Sequence, residues 1–361
     1  MRTLVVNAGS SSVKLRVLDA DDAVLESTDL PARAGEAEPG AVRAAVEGLG
    51  PVDAVGHRIV HGGPHRTAAA LVDDGLLAEL RSLAPLAPLH QHAALDAIGA
   101  VAGARPATPA VACFDTAFHA SLPAAASTYA LPEEWRERWP IRRFGFHGLS
   151  HRWVAARVAA TVGPGRRIVS CHLGSGASLA AIDGERSVDT TMGFTPLEGL
   201  VMGTRPGDVD PGLLLWLLGP GRLDLDELQD GLERRSGLLG LAGDADLRAV
   251  ARRAGAGEAE AALALDVYLH RLRGRIGSMA ASLGGLDVLA FTGGVGEHQA
   301  AVRAGAAAGL AFLGVGVDEA LNDAAEADAD VTALGSPVTT LVVTSREDAV
   351  IAGEVRALLA A

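Results

Sequence analysis

Short hydrophobic runs separated by glycine and serine turns begin the chain. Residues 4–6 are apolar, residues 13–17 carry apolar side chains at every second position, and the two runs flank a turn that contains Asn7, Gly9 and three serines. Apolar runs this short, joined by Gly and Ser, predict the two buried strands of a β-hairpin. Small hydroxyl side chains leave backbone N–H groups of the turn facing outwards, and this suits a phosphate ligand. A third strand is predicted at residues 23–30.

Beyond the hairpin, helical and strand patterns alternate. Helical spacing occurs near residues 41–49, 71–84 and 90–101, and buried strands are predicted at residues 53–58 and 109–114. This order of strands, helix, strand, helices and strand indicates an α/β layer fold.

A second pass through the same pattern begins near Arg167. The stretch IVSCHLGSGASLAAIDGERSVDT gives strand, Gly/Ser turn, strand, acidic turn and strand, as LVVNAGSSSVKLRVLDADDAVLES does at the start. We interpret this as an internal duplication that gives two related domains, with a chance similarity of two turns as the alternative.

The later patterns predict helices at 210–218, 225–234, 246–253 and 259–283, strands at 286–292 and 339–343, and a closing helix at 348–359. Residues 127–139 and 321–332 are interpreted as connecting surface.

Composition narrows the classes of function. The chain has 361 residues, enough for two domains with full cores, and 49% of them are hydrophobic. Its net charge of −13 argues against a nucleic-acid partner held by a general basic field. No apolar run of about eighteen residues predicts a membrane span, and no signal peptide precedes the first strand. We therefore expect a cytoplasmic protein in which Cys113 and Cys171 are buried free thiols.

Local groups must then hold any anionic ligand. Lys14 follows the serine turn and is the only lysine among 31 basic residues. A compact ammonium at this place suits a phosphate contact, with an ordinary solvated lysine as the alternative.

Polar or glycine-rich segments follow five predicted strands. They are NAGSSSVK, GHRIVHGG, FDTAFH, HLGSGAS and TGGVGE. In an open α/β sheet, ligands bind at the carboxyl ends of the strands. Two longer segments, RRFGFHGLSH and VDTTMGFTPLEGLVMGTRPGDVDP, add Arg, His and Asp. A single Arg or His at a strand end is usually a cap or a surface group, but seven such segments together favour a functional site.

These segments, together with APLH and SGLLG, resemble the motifs of the acetate kinase family, in order from residue 3 to the closing helix. That family belongs to the acetate and sugar kinase/Hsp70/actin superfamily. The resemblance implies an α/β fold of two duplicated ribonuclease-H-like domains with a nucleotide cleft between them. Residues 1–116 with 346–361 would form the acyl-substrate domain, and residues 117–345 the nucleotide-binding and dimerisation domain of a homodimer.

The resemblance also implies an activity. It would be reversible, direct in-line phosphoryl transfer between ATP and acetate, giving acetyl phosphate and ADP. Mg²⁺ would be the metal, with Mn²⁺ as an alternative. The alternatives are a propionate or other short-chain carboxylate kinase, a different phosphoryl donor such as pyrophosphate, and a nucleotide-driven binding protein like Hsp70 or actin.

Individual roles follow from the same resemblance. Asp115 would lie at the reacting centre, with His147 and Arg205 on the phosphoryl group in flight and Arg58 on the substrate carboxylate. Asn7 and Glu347 would hold the metal. The pocket for the acetate methyl group would be formed by Val60, Leu89, Phe146 and Pro196. The nucleotide would be bound by Lys14, His172, Leu173, Gly174, Ser175, Gly176, Asp246, Leu247, Arg248, Gly294, Val295, Gly296, Glu297 and His298.

The residues fit this chemistry. A carboxylate is ionised at neutral pH, so acetate needs positioning and facing cations rather than a general base. Asp115 is therefore expected to orient a cation or a metal-bound water. The sequence departs from the family pattern at Ser175, Arg346 and His298, and at residues 91–92 after APLH. None of these changes removes a charged catalytic group.

Overall fold

A computed structural model describes residues 1–9, 12–31 and 38–360 of the chain, without the side chains of Pro39, Pro88 and Leu89. The chain forms two compact units. Unit 1 comprises Met1–Ala120, Phe146–Trp153 and Arg346–Ala361, and unit 2 comprises Ser121–Gly145 and Val154–Ser345.

Strands and helices alternate along both units. The strands are β1 (Thr3–Ala8), β2 (Ser12–Leu18), β3 (Val24–Pro31), β4 (Ala54–Ile59), β5 (Ala70–Leu71), β6 (Ala110–Phe114), β7 (Arg167–Leu173), β8 (Ala177–Asp183), β9 (Arg186–Thr190), β10 (Val288–Thr292), β11 (Ala329–Asp330) and β12 (Thr339–Val342). The helices are α1 (Pro39–Gly48), α2 (Asp74–Ser82), α3 (Pro88–Ala104), α4 (Ala124–Ser127), α5 (Glu133–Arg138), α6 (Gly148–Thr161), α7 (Pro211–Leu217), α8 (Leu225–Arg234), α9 (Gly237–Ala242), α10 (Leu247–Gly255), α11 (Ala259–Ser282), α12 (Gly293–His298), α13 (Ala300–Ala308), α14 (Glu319–Asp323) and α15 (Glu347–Leu359). Short 3₁₀ turns lie at Ala84–Leu86, Ala117–Ser121 and Ala311–Leu313.

The two units repeat one sheet topology. The unit 1 sheet has the order β3-β2-β1-β4-β6-β5, and the unit 2 sheet, read from its other end, has the order β9-β8-β7-β10-β12-β11. In each sheet the first three strands are antiparallel, the third to fifth are parallel, and the last is an antiparallel edge strand. The same order and direction in both sheets confirm the predicted duplication and the α/β class.

Strand β1 is buried on both faces, and its side chains explain why. Leu4 and Val6 pack in a core cluster with residues of α1 and α3, whereas Val5 packs on the opposite face with α15 residues such as Ile351. Gly56 in β4 permits this layer, because a Cβ atom there would overlap the Ile351 side chain. The parallel centre of the sheet is therefore covered by helices on each side, as its nearly continuous apolar sequence predicts.

The boundaries of unit 1 have a local cause. The Gly148 N–H donates to the Asp115 carbonyl at 2.9 Å, and the His119 ring Nε2 and the Phe146 carbonyl oxygen lie 3.0 Å apart in a hydrogen bond. These bonds hold Phe146–Trp153 and the residues just after Asp115 within unit 1, beyond the predicted domain limit at residue 116.

Several local elements differ from the sequence prediction. Helix α6 and edge strand β5 were not predicted, and the segments interpreted as connecting surface contain α5, β11 and the end of α14. Helix α6 has weakly periodic hydrophobicity because its apolar residues are spread around its circumference, although the buried positions after its first turn, 151, 154, 155 and 158, share one face. Cys113 and Cys171 are buried free thiols, as predicted. Within the described residues, no helix combines the length and apolar character needed to cross a bilayer.

Candidate active site

Three parallel neighbouring strands of unit 1 end in polar side chains. Asn7 lies near the end of β1, Arg58 near the end of β4, and Asp115 directly after β6. Since the carboxyl ends of parallel strands meet at one sheet edge, these three groups meet there.

Arg58 and Asp115 form a buried ion pair at this edge. Arg58 Nη2 lies 2.6 Å from Asp115 Oδ2, and Arg58 Nε donates to the same carboxylate at 3.1 and 3.2 Å. Arg58 Nη1 donates to Asn7 Oδ1 at 3.1 Å. A guanidinium has five N–H groups, so one N–H on each Nη nitrogen stays unused by these bonds. These two N–H groups can donate to an anionic ligand such as a further carboxylate.

Burial and mutual attraction shift the pKa values of Asp115 and Arg58. Asp115 is fully buried, and desolvation raises the pKa of its carboxyl to about 6 against the opposing attraction of Arg58. Burial alone would lower the pKa of Arg58, but the charges of Asp115 and Glu347 raise it. The arginine is therefore a permanent cation, and the aspartate carries its charge only above mildly acidic pH.

Glu347 joins the cluster from the first turn of α15. Asn7 Nδ2 donates to Glu347 Oε2 at 2.8 Å, and Arg58 Nε lies 3.9 Å from the same oxygen. The preceding Arg346, one of the departures from the family pattern, points elsewhere: it pairs with Asp348 and donates to the Asp22 carbonyl oxygen. The substitution at residue 346 therefore leaves Glu347 in the polar cluster.

The cluster suits a hard divalent cation. It offers carboxylate and amide oxygens, the donors that Mg²⁺ takes, and Mg²⁺ sites commonly use one or two protein carboxylates with substrate phosphates. The described residues contain no group of three His, Cys, Asp or Glu side chains arranged for a metal. The carboxylate and amide oxygens of this donor set suit a cation that a phosphate ligand shares.

His147 stands beside the ion pair in a strained backbone. Its φ is +56°, one of two positive values among the described non-glycine residues. Its backbone N–H donates to the Asp115 carboxyl, and the next residue, Gly148, bonds the Asp115 carbonyl so closely that a Cβ atom would overlap it. A strained residue that the surrounding hydrogen bonds enforce is typical of functional sites.

Two of the predicted acyl-pocket residues lie in unit 1 near this edge. Val60 follows β4 and Phe146 precedes His147, and both are almost fully buried. Phe146 packs edge-on against the ring of His61, with 5.4 Å between the ring centroids. The Leu89 side chain falls outside the described residues.

Lys14 is exposed and lies opposite Asn7 in the β1–β2 register, so both side chains occupy one sheet face.

Two of the predicted nucleotide-binding segments meet at the corresponding edge of unit 2. His172 of β7 lies beside Thr292 of β10 in parallel register, so the 172–176 turn and the 293–298 segment are neighbours. The Gly203 N–H donates to the Ser175 carbonyl at 3.1 Å, which brings the Arg205 segment to the same edge. Ser175, Gly294 and His298 are exposed. Glu297 Oε1 accepts the N–H groups of Gly293 and Ser345, both at 3.0 Å.

The 246–248 segment begins α10. Asp246 caps the helix by accepting the Arg248 N–H at 2.9 Å, and the two side chains form an exposed ion pair at 2.8 Å. Leu247 is buried, so its side chain serves the core. Asp246 and Arg248 keep exposed polar groups that a nucleotide could reach.

Arg205 has an unusual environment in unit 2. It is 7% exposed, and its Nη1 donates to the Pro196 carbonyl at 2.7 Å. Among the described residues no carboxylate lies within 4 Å of its guanidinium, and desolvation lowers its pKa to about 10, against the attraction of Glu233. Within the described structure its Nε and Nη2 make no hydrogen bond, so a buried cation keeps donors for an anion.

The sequence prediction missed three residues that hold the Arg205 segment. Tyr129, Arg143 and Glu198 form one hydrogen-bonded group in unit 2. Arg143 and Glu198 lie inside the quoted polar segments, a signal that was available, whereas Tyr129 lies in a stretch interpreted as connecting surface.

Comparisons with known proteins agree with this geometry. The acetokinase family profile matches residues 41–353. The chain belongs to the acetokinase family. It is 47% identical to an acetate kinase from Leifsonia xyli subsp. xyli, over 99% of both chains. Its fold matches the crystal structures of an acetate kinase from Porphyromonas gingivalis (34% identity, TM-score 0.88) and a propionate kinase from Francisella tularensis (31%, 0.90), each over 99% of both chains. The family resemblance drawn from the motifs is confirmed.

Proposed function

We propose that this chain is an ATP-dependent acetate kinase, which transfers a phosphoryl group reversibly between ATP and acetate to give acetyl phosphate and ADP. Its membership of the acetokinase family makes it a kinase with a carboxylate acceptor. The observation that supports the proposal most strongly is Arg58, a buried guanidinium held by Asp115 and Asn7 with two N–H groups left for a carboxylate.

Acetate needs no activation by a base, because its carboxylate is already charged. Arg58 would bind and align that carboxylate, and Asp115 would fix the plane of the guanidinium. Val60, Leu89, Phe146 and Pro196 would surround the methyl group. The nucleotide would lie against Lys14, the 172–176 turn and the 246–248 and 294–298 segments.

Charge on the transferring phosphoryl group requires stabilising donors. Arg205 would supply them from a site where burial strengthens each electrostatic contact, and His147 would add a ring N–H. Asn7 and Glu347 would hold Mg²⁺, with Mn²⁺ as an alternative, and the bound cation would neutralise phosphate charge. The residues of this chain then act by orienting the substrates in line for direct transfer.

A hydroxamate assay tests both the acceptor and the donor. Purified protein is incubated with Mg-ATP, hydroxylamine and acetate, propionate or butyrate, and then with GTP or pyrophosphate replacing ATP. We expect the largest kcat/KM for acetate with ATP. A hydrophobic pocket separates ligands that differ by one methylene by only about 1–3 kcal/mol, so propionate should react more slowly without being excluded. A higher kcat/KM for propionate would favour the propionate kinase alternative. ATP hydrolysis without any hydroxamate would favour a nucleotide-driven binding protein.

Turnover should depend on the ionisation of Asp115. Because its pKa is raised to about 6, activity should fall as the pH drops through that value and the carboxyl loses its hold on Arg58. We expect Asp115→Asn to keep the fold, lower kcat at least about tenfold and remove this acidic limb. The check is kcat from pH 5 to 8 for both proteins. An unchanged limb in Asp115→Asn would assign the titration to another group, and wild-type rates would refute the role of Asp115.

We also propose that the protein is a homodimer assembled through unit 2. The residues from α7 to the start of α8 leave large apolar side chains exposed: Leu213, Leu215, Trp216, Leu218 and Leu225. The Leu223 N–H donates to the Leu217 carbonyl at 3.0 Å, which keeps both ends of this run together. A concentration of exposed large apolar side chains in one short stretch is typical of an interface, and a second copy of the chain is the partner that the family resemblance implies.

Charges placed in that run should separate the dimer. We expect the wild type to have twice the 36.8 kDa chain mass, and Leu215→Glu with Leu225→Glu to have the mass of one chain. Light scattering after size exclusion measures both masses. Leu334→Glu is the matched control, because Leu334 is fully exposed in unit 2 and lies more than 100 residues after the run in the sequence. A monomeric wild type, or a double variant that stays dimeric, would contradict this interface.

A further inference from the structure

A long irregular segment of unit 2 carries Arg205. Between β9 and α7 the chain runs from residue 191 to residue 210 without a regular helix or strand. A segment of this length has no ladder of backbone bonds to fix its shape. The position of Arg205 therefore depends on individual contacts, of which the bond from Nη1 to the Pro196 carbonyl is the most direct.

The hydroxyl of Tyr129 binds the segment on both sides of Pro196. It accepts the Phe194 N–H at 3.0 Å and donates to Glu198 Oε2 at 2.6 Å. Phe194 and Glu198 lie two residues before and two residues after Pro196. One hydroxyl thus fixes both flanks of the residue whose carbonyl holds Arg205.

Arg143 completes the arrangement. Its Nη2 bonds Glu198 Oε1, and its Nη1 donates to the carbonyl groups of Thr191 and Met192, each at 3.0 Å. Its guanidinium carbon lies 5.5 Å from the centre of the Tyr129 ring. Burial and the bond to Glu198 raise the pKa of Tyr129 against the opposing charge of Arg143, so the hydroxyl stays in its donor form.

The fit around the Tyr129 hydroxyl is tight. Gly193 lies against it, and a Cβ atom at residue 193 would overlap both the Tyr129 hydroxyl and the Glu198 carboxylate. The Gly193 carbonyl accepts the N–H groups of Phe144 and Gly145 at 3.0 and 3.3 Å. Unit 2 therefore holds the beginning of the segment with backbone and side-chain bonds that converge on one point.

We propose that Tyr129, with Glu198 and Arg143, positions Arg205 for phosphoryl transfer by fixing Pro196. Tyr129 is a positioning residue, because it touches the Arg205 segment and acts through it. The inference rests on the function proposed above for Arg205.

Tyr129→Phe removes one hydroxyl and keeps the ring. We expect kcat to fall about tenfold, since small misplacements of a catalytic group cost rates of this order or more. The KM values for acetate and ATP should stay within about twofold, because Arg205 acts on charge that develops in the transition state. Tyr268→Phe is the matched control. Tyr268 is buried in unit 2 and its hydroxyl has no hydrogen-bond partner among the described residues, so kcat should not change.

A double-variant cycle gives the decisive readout. If Tyr129 acts through Arg205, the kcat of Tyr129→Phe with Arg205→Ala should equal that of Arg205→Ala alone. Glu198→Gln should lower kcat in the same way, and its effect should also vanish in the Arg205→Ala background. Losses that multiply, or a wild-type kcat for both single variants, would overturn the positioning role. Wild-type turnover by Arg205→Ala would instead refute the proposed role of Arg205.

Discussion

Arg58→Ala should lower kcat on the order of 10³-fold, the scale expected when an arginine that clamps the reacting anion is lost. The loss follows from the geometry of the guanidinium, which Asp115 and Asn7 hold while two N–H groups remain for the acceptor. Steady-state rates with acetate and ATP measure it. Arg58→Lys is the matched variant: it keeps the charge without the planar fork, and we expect it to recover only a small part of the rate.

The same substitution should destabilise unit 1. Without Arg58, the buried Asp115 carboxylate has lost its bidentate partner, and breaking a buried pair costs about 3–5 kcal/mol. Adding Asp115→Asn removes the unpaired charge, so the double variant should regain thermal stability but not activity. Recovery of activity in the double variant would show that Arg58 serves only the fold.

Arg205→Met should also lower kcat on the order of 10³-fold, but with the opposite effect on stability. Arg205 is buried without a carboxylate partner among the described residues, and its pKa is lowered to about 10. A basic group whose pKa is lower in the folded state than in the unfolded state reduces the free energy of unfolding at neutral pH, because the fold must then bury a charged group. The methionine keeps much of the volume without that charge, so the melting temperature should stay constant or rise.

Thermal melting and kcat measured on one preparation separate the two effects. A variant that is as stable as the wild type, and slow, places Arg205 in the chemistry. A marked loss of stability in Arg205→Met would mean that the guanidinium holds the 191–210 segment together, and full activity would remove it from the reaction.

The repeat of the fold was predictable because it is local. In both halves, two short apolar runs joined by Gly and Ser form the hairpins β1–β2 and β7–β8, and β-hairpins depend on neighbouring residues. The strand-end positions of Asn7, Arg58 and Asp115 were predictable in the same way. Helix α6 was not, because its apolar residues lack a single face.

The interactions of the site depend on contacts between distant residues. The sequence places Asp115 after a strand, but its complete burial and its bond to Arg58 join positions 57 residues apart. Tyr129 and Glu198 are 69 residues apart, and nothing in the pattern around Tyr129 indicates that its hydroxyl serves the Arg205 segment. The orientation of Arg346 towards Asp22, 324 residues away, is equally invisible in the sequence.

Phosphorus NMR of the wild-type protein with Mg-ATP and acetate tests most directly whether the buried cations bring a carboxylate to a terminal phosphate. We predict that acetyl phosphate and ADP appear together in equal amounts, and that added acetyl phosphate and ADP regenerate ATP. Orthophosphate released from ATP without acetyl phosphate, at a rate independent of acetate, would contradict it.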